Sequence, residues 1–268
     1  MNLSRTARLI LTSLMGVGLA FIYIPLAVVV INSFNASRTF SWPPQDFTTE
    51  WWVKAIDNPG VRDALRWSLL AGALATTIAL ILGTSLAFAV SRYQFFGREV
   101  ISLLVVLPIS LPGIVTGLAL NSAFTRQLGI STGLLTVVIG HATFCIVIVY
   151  NNALARLRRI GTSLQEASMD LGADGITTFR LITLPNLASA LFAGGLLAFG
   201  LSFDEIVVTT FTAGPGIQTL PIWIYNNLFR PNQAPIVNVV AATLVVISII
   251  PIYLSQRLSQ ESTSGGRF

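Results

Sequence analysis

The sequence has few charged residues, one cysteine and one histidine. Only 10% of its 268 residues are Asp, Glu, Lys or Arg, whereas 53% are hydrophobic. A soluble domain needs polar residues at helical or strand spacing to cover its surface, and long stretches of this chain lack them. The lone Cys145 excludes an intramolecular disulfide. The composition indicates an integral membrane protein.

Catalytic motifs are also missing. The sequence contains neither the GxxxxGK[ST] pattern of a P-loop nor the GxSxG pattern of a serine hydrolase. His141 and Cys145 are four residues apart and could share a helix face, but two ligands from one helix make a poor metal site. We therefore expect a non-catalytic chain that binds no cofactor or metal itself, in which these two residues serve packing and hydrogen bonding.

The sequence contains long runs of apolar residues with few charges in them. A helix rises about 1.5 Å per residue, so about 20 apolar residues cross about 30 Å of hydrocarbon. Six runs approach this length, at about residues 9–31, 67–90, 101–120, 133–150, 187–211 and 236–255. The first run is too long for a signal peptide, so we expect a retained span. The sequence predicts an all-α integral membrane protein with six transmembrane helices in a single domain, 1–268.

Arginine positions predict the orientation of these spans. Cytoplasmic loops of membrane proteins carry an excess of Lys and Arg. If both termini are cytoplasmic, the inner side collects the densest arginine clusters, which include Arg5, Arg8, Arg92, Arg98, Arg156, Arg158, Arg159 and Arg180. This asymmetry accounts for the net charge of +5 without nucleic acid. Segment 151–186 is then cytoplasmic, and its basic start, ARLRRI, is typical of a span end anchored at membrane lipid headgroups.

Segment 151–186 has helical signals of its own. In TSLQEASMDLG, Ser163 and Glu166 fit a capping box, and Gly172 suits a left-handed helix stop. A second short helix is expected to begin near Asp174 and to end near Pro185, because a proline disfavours helical geometry in the residue before it. The pattern predicts two short helices joined at a glycine.

The same segment carries a resemblance to a known family. The residues that resemble the EAA loop of ABC importer permeases are Glu166, Ala167, Ser168, Gly172, Ile182, Leu184 and Pro185. Ser168 stands where a second alanine is usual, which exchanges one small residue for another. Further stretches, LPISLPGIVTGLAL, HATFC and LSFDEIVVTTFTAGP, are similar to the PotC- and YdcV-like permeases of spermidine/putrescine importers.

The resemblance implies a type I ABC importer permease fold (MetI-like) in the bacterial inner membrane. Its short loop helix would couple the spans to an ATP-binding subunit, a dimer that holds ATP and Mg²⁺. A second permease, expected to be a paralogue, and an extracytoplasmic solute-binding protein would complete the complex. The residues taken singly leave a simpler interpretation open, in which Glu166 caps its own helix, Gly172 ends it and Pro185 begins the next span.

Two acidic residues lie in the fifth predicted span. Ionisable residues inside a membrane are costly and usually face a cavity or a partner. We expect Asp204 or Glu205 to supply negative potential to a path for a cationic solute. Aromatic residues available for contacts with a cation are Phe203, Trp223 and Tyr225. The alternative is an acid pair that bonds to nearby backbone or to the second permease.

Two prolines interrupt the third predicted span. Pro108 and Pro112 each remove a backbone donor and Gly113 follows, so we expect a kinked or unwound segment that either lines the path or bends passively. The resemblance to polyamine permeases departs at Gly113, because family members that look like dedicated spermidine permeases tend to carry an acid just after the second proline, so another small cationic or amino-acid-like solute is an alternative cargo. An ion-gradient secondary transporter is the rival class, and it predicts ionisable residues near the midplane without a patterned loop.

Overall fold

The computed structural model describes residues 4–38, 42–230 and 232–264, and this part of the chain is mostly helical. The helices are α1 (Arg5–Asn32), α2 (Glu50–Asp57), α3 (Pro59–Arg92), α4 (Arg98–Ser110), α5 (Gly113–Ser122), α6 (Leu134–Ile160), α7 (Ser163–Asp170), α8 (Gly175–Thr178), α9 (Leu184–Phe203), α10 (Val207–Thr212), α11 (Leu220–Asn227) and α12 (Ala234–Ser264). Two π-helical turns extend α5 over Ala123–Gln127 and join α8 to α9 over Phe179–Thr183. The all-α prediction is confirmed.

The number of spans is smaller than the sequence predicts. Within the described residues, four helices are long and apolar enough to cross a membrane: α1, α3, α6 and the continuous helix Gly175–Phe203. A fifth span results if α4 and Gly113–Gln127, which meet at 105°, count as one broken helix. The predicted sixth run falls in α12, whose described apolar part, Ala234–Ile249, is shorter than a full span. The prediction of six is therefore approximate.

The third predicted span, 101–120, is broken as expected, but at one proline only. Leu111 has extended backbone geometry and separates α4 from α5, which begins after Pro112. Pro112 lacks an amide hydrogen and disfavours helical geometry in the preceding residue, so the break falls at this position. Pro108 is accommodated inside α4.

The fifth predicted span, 187–211, is wrong as a single helix. α9 ends at Phe203, and residues 204–206 separate it from α10. The last amides of α9 to donate are those of Asp204 and Glu205, which bond to the carbonyls of Gly200 and Ser202. Asp204 and Glu205 therefore lie in a helix break and not within one continuous helix.

The chain forms two compact units. One unit contains the chain up to Arg62 together with Trp223–Ile247. In this unit the rings of Phe34 and Trp52 stack with centroids 5.2 Å apart. Lys54 lies 4.5 Å from the Trp51 ring and forms an ion pair with Glu50, whose pKa is lowered by that hydrogen-bonded contact.

The second unit contains Asp63–Ile222 and the segment that begins at Ser248, and it is organised around α6. The buried residues of α6 pack against α3 and α9 in two clusters. Small residues permit close contact between these helices, because a methyl group at Gly83 of α3 would lie only 3.0 Å from the Ile146 carbonyl oxygen of α6.

Helices α5 and α10 lie side by side in this second unit. A methyl group at Gly113 would lie 3.3 Å from Cγ1 of Val207, and one at Gly117 would lie 2.6 Å from Cδ2 of Phe211. Both contact positions advance by four residues, so the two helices run in the same direction. The sequence GIVTG is a GxxxG pattern, which allows helices in membranes to approach closely.

We expect Gly117→Ala to lower the thermal unfolding midpoint of the purified protein in detergent. The added methyl group collides with the Phe211 ring, and overpacking of this kind costs about 1–3 kcal/mol. Gly200→Ala is the matched control, because Gly200 also lies inside a helix but has open space around it. An equal effect of both changes on the midpoint would contradict the close α5–α10 contact.

Candidate functional site

The break between α4 and α5 lies beside the break between α9 and α10. Gly113 follows Pro112 directly and contacts Val207, which follows Glu205 by two residues. The structure thus brings Pro112, Gly113, Asp204 and Glu205, predicted from separate parts of the sequence, to one place in the second unit. Substrate sites of transporters are typically formed by discontinuous helices with exposed backbone groups.

The two acids of the break have different surroundings. Oε1 of Glu205 accepts a hydrogen bond from the Val208 amide at 2.7 Å, so this carboxylate caps the first turn of α10. The Asp204 side chain is exposed, and within the described residues its carboxylate forms no hydrogen bond or ion pair. Glu205 therefore serves the local backbone, and Asp204 is the acid that remains open to a cation.

A buried hydrogen-bond network lies behind the break. Nδ1 of His141, on α6, lies 2.7 Å from Oγ of Ser202, and Nε2 lies 2.7 Å from Oγ1 of Thr209. One turn further along α6, the Cys145 thiol donates to the Ala198 carbonyl at 3.3 Å. The expectation that His141 and Cys145 serve packing and hydrogen bonding is confirmed. Ser202 and Thr209 were not predicted, because no local pattern marks either hydroxyl as a partner of a residue more than 60 positions away.

The other predicted path residues lie in different surroundings. Phe203 is partly buried beside Phe199, and the two ring centroids are 5.8 Å apart. Pro108 is partly buried within α4. Trp223 and Tyr225 belong to the first unit, where Trp223 is buried and Tyr225 is exposed. Their part in a solute path stays a prediction.

The start of the loop helix α7 differs from the sequence prediction. Thr162, not Ser163, is the N-cap, and no side chain caps the helix, so the predicted capping box of Ser163 and Glu166 is wrong. Gly161 has φ +69°, and the Arg92 guanidinium donates to its carbonyl oxygen at 2.7 Å. This turn brings the chain into helical geometry one residue earlier than predicted, and the Glu166 side chain is left exposed.

The glycine stop is confirmed, whereas the predicted end of the second short helix is wrong. Gly172 has φ +87°, which suits glycine and ends α7. Asp174 caps α8 by accepting from the Thr177 amide at 2.9 Å, and the contact with Thr177 lowers the pKa of the Asp174 carboxyl. The helix then continues through Pro185 to Phe203. Pro185 is tolerated because it stands at the start of α9, directly after a π-helical turn.

Polar side chains attach α7 to the long helix that follows it. The Gln165 amide donates to Oγ1 of Thr183 at 2.7 Å, and Oγ of Ser168 lies 3.0 Å from Oγ1 of Thr178. Ala167, Ile182 and Leu184, the remaining residues of the EAA-like pattern, lie along the same segment, and Ala167 is exposed. The large apolar side chains that α7 and its stop leave exposed are those of Leu164, Met169 and Leu171.

These features together indicate a class of protein. The described residues form several membrane-length helices, two helix breaks that lie side by side, one of which contains Asp204 and Glu205, and a loop helix with exposed apolar side chains. Membrane-length helices together with discontinuous helices are typical of membrane transport proteins.

The chain belongs to the family described as binding-protein-dependent transport system inner membrane component, which matches residues 79–263. It is 34% identical over 247 residues to the spermidine/putrescine transport system permease protein PotC of Escherichia coli, covering 92% of each chain. It is 33% identical over 255 residues to the putrescine transport system permease protein PotI of the same species, covering 91% of this chain and 90% of that one.

A solved structure supports the fold. The structure of a bacterial ABC transporter involved in the import of the acidic polysaccharide alginate aligns with a TM-score of 0.70 and 18% identity, covering 97% of this chain and 99% of that one. The protein is therefore a multi-pass inner-membrane permease of the ABC importer type, a class of non-catalytic transport subunits. Family membership excludes the ion-gradient secondary transporter considered above.

We expect Gly172→Ala to loosen the end of α7. An L-residue in left-handed geometry costs roughly 1–2 kcal/mol, so amide hydrogen exchange in residues 163–174 should become faster. Gly175→Ala is the matched control, because Gly175 lies three residues away, lacks the left-handed backbone and has open space around it. Unchanged exchange in Gly172→Ala would show that the turn does not depend on the positive φ.

Proposed function

We propose that this chain is one of two permease subunits of an ATP-driven importer and forms half of the translocation path for a polyamine such as spermidine or putrescine. The observation that carries the proposal is 33–34% identity, over more than nine-tenths of the chain, to permeases named for these solutes. The second permease is a paralogue, ATP and Mg²⁺ bind to a dimer of separate ATP-binding subunits, and an extracytoplasmic protein delivers the solute.

The loop helix α7 docks on an ATP-binding subunit. Its exposed Leu164, Met169 and Leu171 are apolar side chains that gain free energy when a partner covers them. The exposed Glu166 carboxylate is available to basic or backbone donors of the partner. The small Ala167 side chain lets the partner approach the helix closely. Both termini of the chain are cytoplasmic in this arrangement, as the arginine clusters predict.

Movement of α7 reaches the helix break through α9. Gln165 and Ser168 bind α7 to the helix that runs on to Phe203. α9 has 20 residues, so its far end lies about 30 Å from the loop. When the ATP-binding subunits close, α7 carries α9 with it, and the break at Asp204 changes its exposure between the two sides of the membrane. This is alternating access by rigid-body movement.

Asp204 provides the negative charge of the path. A carboxylate in a membrane environment is costly when unpaired, and the ammonium groups of a polyamine supply the counter-charge during passage. The Glu205 carboxylate is held by the Val208 amide. Glu205 therefore shapes the backbone of the path, and Asp204 is the acid that contacts the passing solute.

The docking of α7 is tested by co-purification of the tagged permease with its ATP-binding subunits. We expect Leu171→Asp to reduce recovery of these subunits about tenfold. Burial of the Leu171 side chain by the partner contributes about 2 kcal/mol to binding, and the variant places a charge in the same apolar contact. Glu166→Ala should reduce the ATPase activity that the permease stimulates. Asp170→Asn on the same helix is the control and should leave both unchanged. Full recovery and activity in Leu171→Asp would refute docking at α7.

The cargo is tested with the complex in liposomes, supplied with ATP and its solute-binding protein. We expect ATP-dependent uptake of radiolabelled putrescine or spermidine, and we expect Asp204→Asn to lower it about tenfold because a charge pair in low dielectric is lost. Asp63→Asn, an exposed acid at the start of α3, is the control. Uptake of lysine in place of either polyamine would refute the polyamine assignment in favour of an amino-acid-like cargo.

A further inference from the structure

His141 is the one histidine of the sequence, and its side chain is fully buried in the membrane-spanning helix α6. A polar group in this environment is costly unless it is hydrogen-bonded, and both ring nitrogens have a hydroxyl at 2.7 Å. An apolar residue of similar size would fill the same space without the need for two partners. The polar contacts of His141 therefore need an explanation beyond filling space.

The two partners of His141 lie on opposite sides of the helix break. Ser202 is in the last turn of α9, and Thr209 is in the first turn of α10. The planar imidazole holds its two nitrogens at a fixed separation. A ring bonded at both ends therefore fixes the distance and angle between the end of α9 and the start of α10, while α6 supplies the support.

The hydrogen bonds of this network have one consistent direction. The single hydroxyl hydrogen of Thr209 is donated to the Glu205 carbonyl at 2.8 Å, so Thr209 accepts from Nε2–H of His141. Nδ1 then carries no hydrogen and accepts from the Ser202 hydroxyl. This is the neutral imidazole, assigned from its bonding partners, and it forms a chain of three hydrogen bonds that ends on the break itself.

The hydrogen bonds that Glu205 accepts do not cross the break. Its carboxylate accepts from the Val208 amide and its backbone carbonyl accepts from the Thr209 hydroxyl, so Glu205 belongs with α10. The backbone bond from the Glu205 amide to the Ser202 carbonyl is long, at 3.4 Å. Among the side-chain hydrogen bonds of the described residues, those of His141 are the ones that hold both helices at once.

We propose that His141 is a positioning residue of the translocation path, whose imidazole joins α9 to α10 across the break and so fixes the backbone that presents Asp204. The inference rests on the proposed function, because it assigns His141 a part in the transport step. Its effect is on how efficiently ATP-driven movement of α9 becomes movement of solute.

The experiment measures solute imported per ATP hydrolysed, with the complete complex in liposomes and putrescine as the probe. This ratio does not depend on the amount of folded protein, so a purely structural role leaves it unchanged. We expect His141→Leu, which loses both contacts, to lower the ratio about fivefold, the factor that corresponds to two net hydrogen bonds of about 0.5 kcal/mol each. His141→Gln retains a donor that reaches Thr209 and should give an intermediate ratio.

Cys145→Ala is the matched control. It removes a hydrogen bond from the same helix to α9, one turn away, but on one side of the break only, and it should leave the ratio unchanged. Thr209→Val removes one partner of the network. Combined with His141→Leu it should give no further loss, because both changes break the same connection.

A wild-type ratio in both His141→Leu and His141→Gln, even with a lower thermal midpoint, would overturn the proposal and leave His141 a packing residue. Full additivity of the double change would also overturn it. If His141→Leu fails to fold, the decision rests on His141→Gln and Thr209→Val. Failure of the wild-type complex to import putrescine or spermidine is a separate outcome that refutes the polyamine cargo, and the same ratio is then measured with lysine, the solute of the cargo test.

Discussion

The structure depends on one constraint: inside a membrane, each backbone polar group needs a partner within the protein. The short helix α10 has six residues, too few to satisfy its own ends. Glu205 accepts from the amide of Val208 at its start. At its end, Asn121 of α5 donates to the Phe211 carbonyl at 2.6 Å, and Thr136 of α6 donates to the Thr212 carbonyl at 2.7 Å. Side chains of neighbouring helices thus make a broken helix tolerable at this position.

The same constraint determines how α9 is held among its neighbours. Its middle packs closely on α6 through small residues, including Ala193, Gly194 and Ala198, and the Cys145 thiol of α6 donates to the Ala198 carbonyl. Its two ends have side-chain hydrogen bonds as well, through Thr183 to α7 and through Ser202 to His141. Hydrogen bonds to neighbouring elements and close packing of small residues therefore both hold α9 in place.

Much of the fold could be predicted from hydrophobicity, but the site could not. Apolar runs locate the membrane-length parts of α3 and α6, because length and composition suffice for a span, but α3 begins before the run at Pro59 and α6 continues beyond it to Ile160. Apolar runs fail over 187–211, since an apolar run does not show where the helix within it stops. The bonds of Ser202 and Thr209 join residues 61 and 68 positions from His141, and a single sequence carries no sign of such distant pairing. The capping pattern at Ser163 failed because the turn at Gly161 decides where α7 begins.

The contact between α5 and α10 also limits which side chains fit at residue 113. A Cβ atom at residue 113 would meet Cγ1 of Val207 at 3.3 Å. A carboxylate side chain could enter only if Val207 gave way, and Val207 begins the helix that Glu205 caps. Close packing of the two broken helices and an acid at residue 113 therefore compete for the same space. With Glu205 bonded to the Val208 amide, Asp204 is the acid of this break whose carboxylate has no hydrogen-bond partner among the described residues.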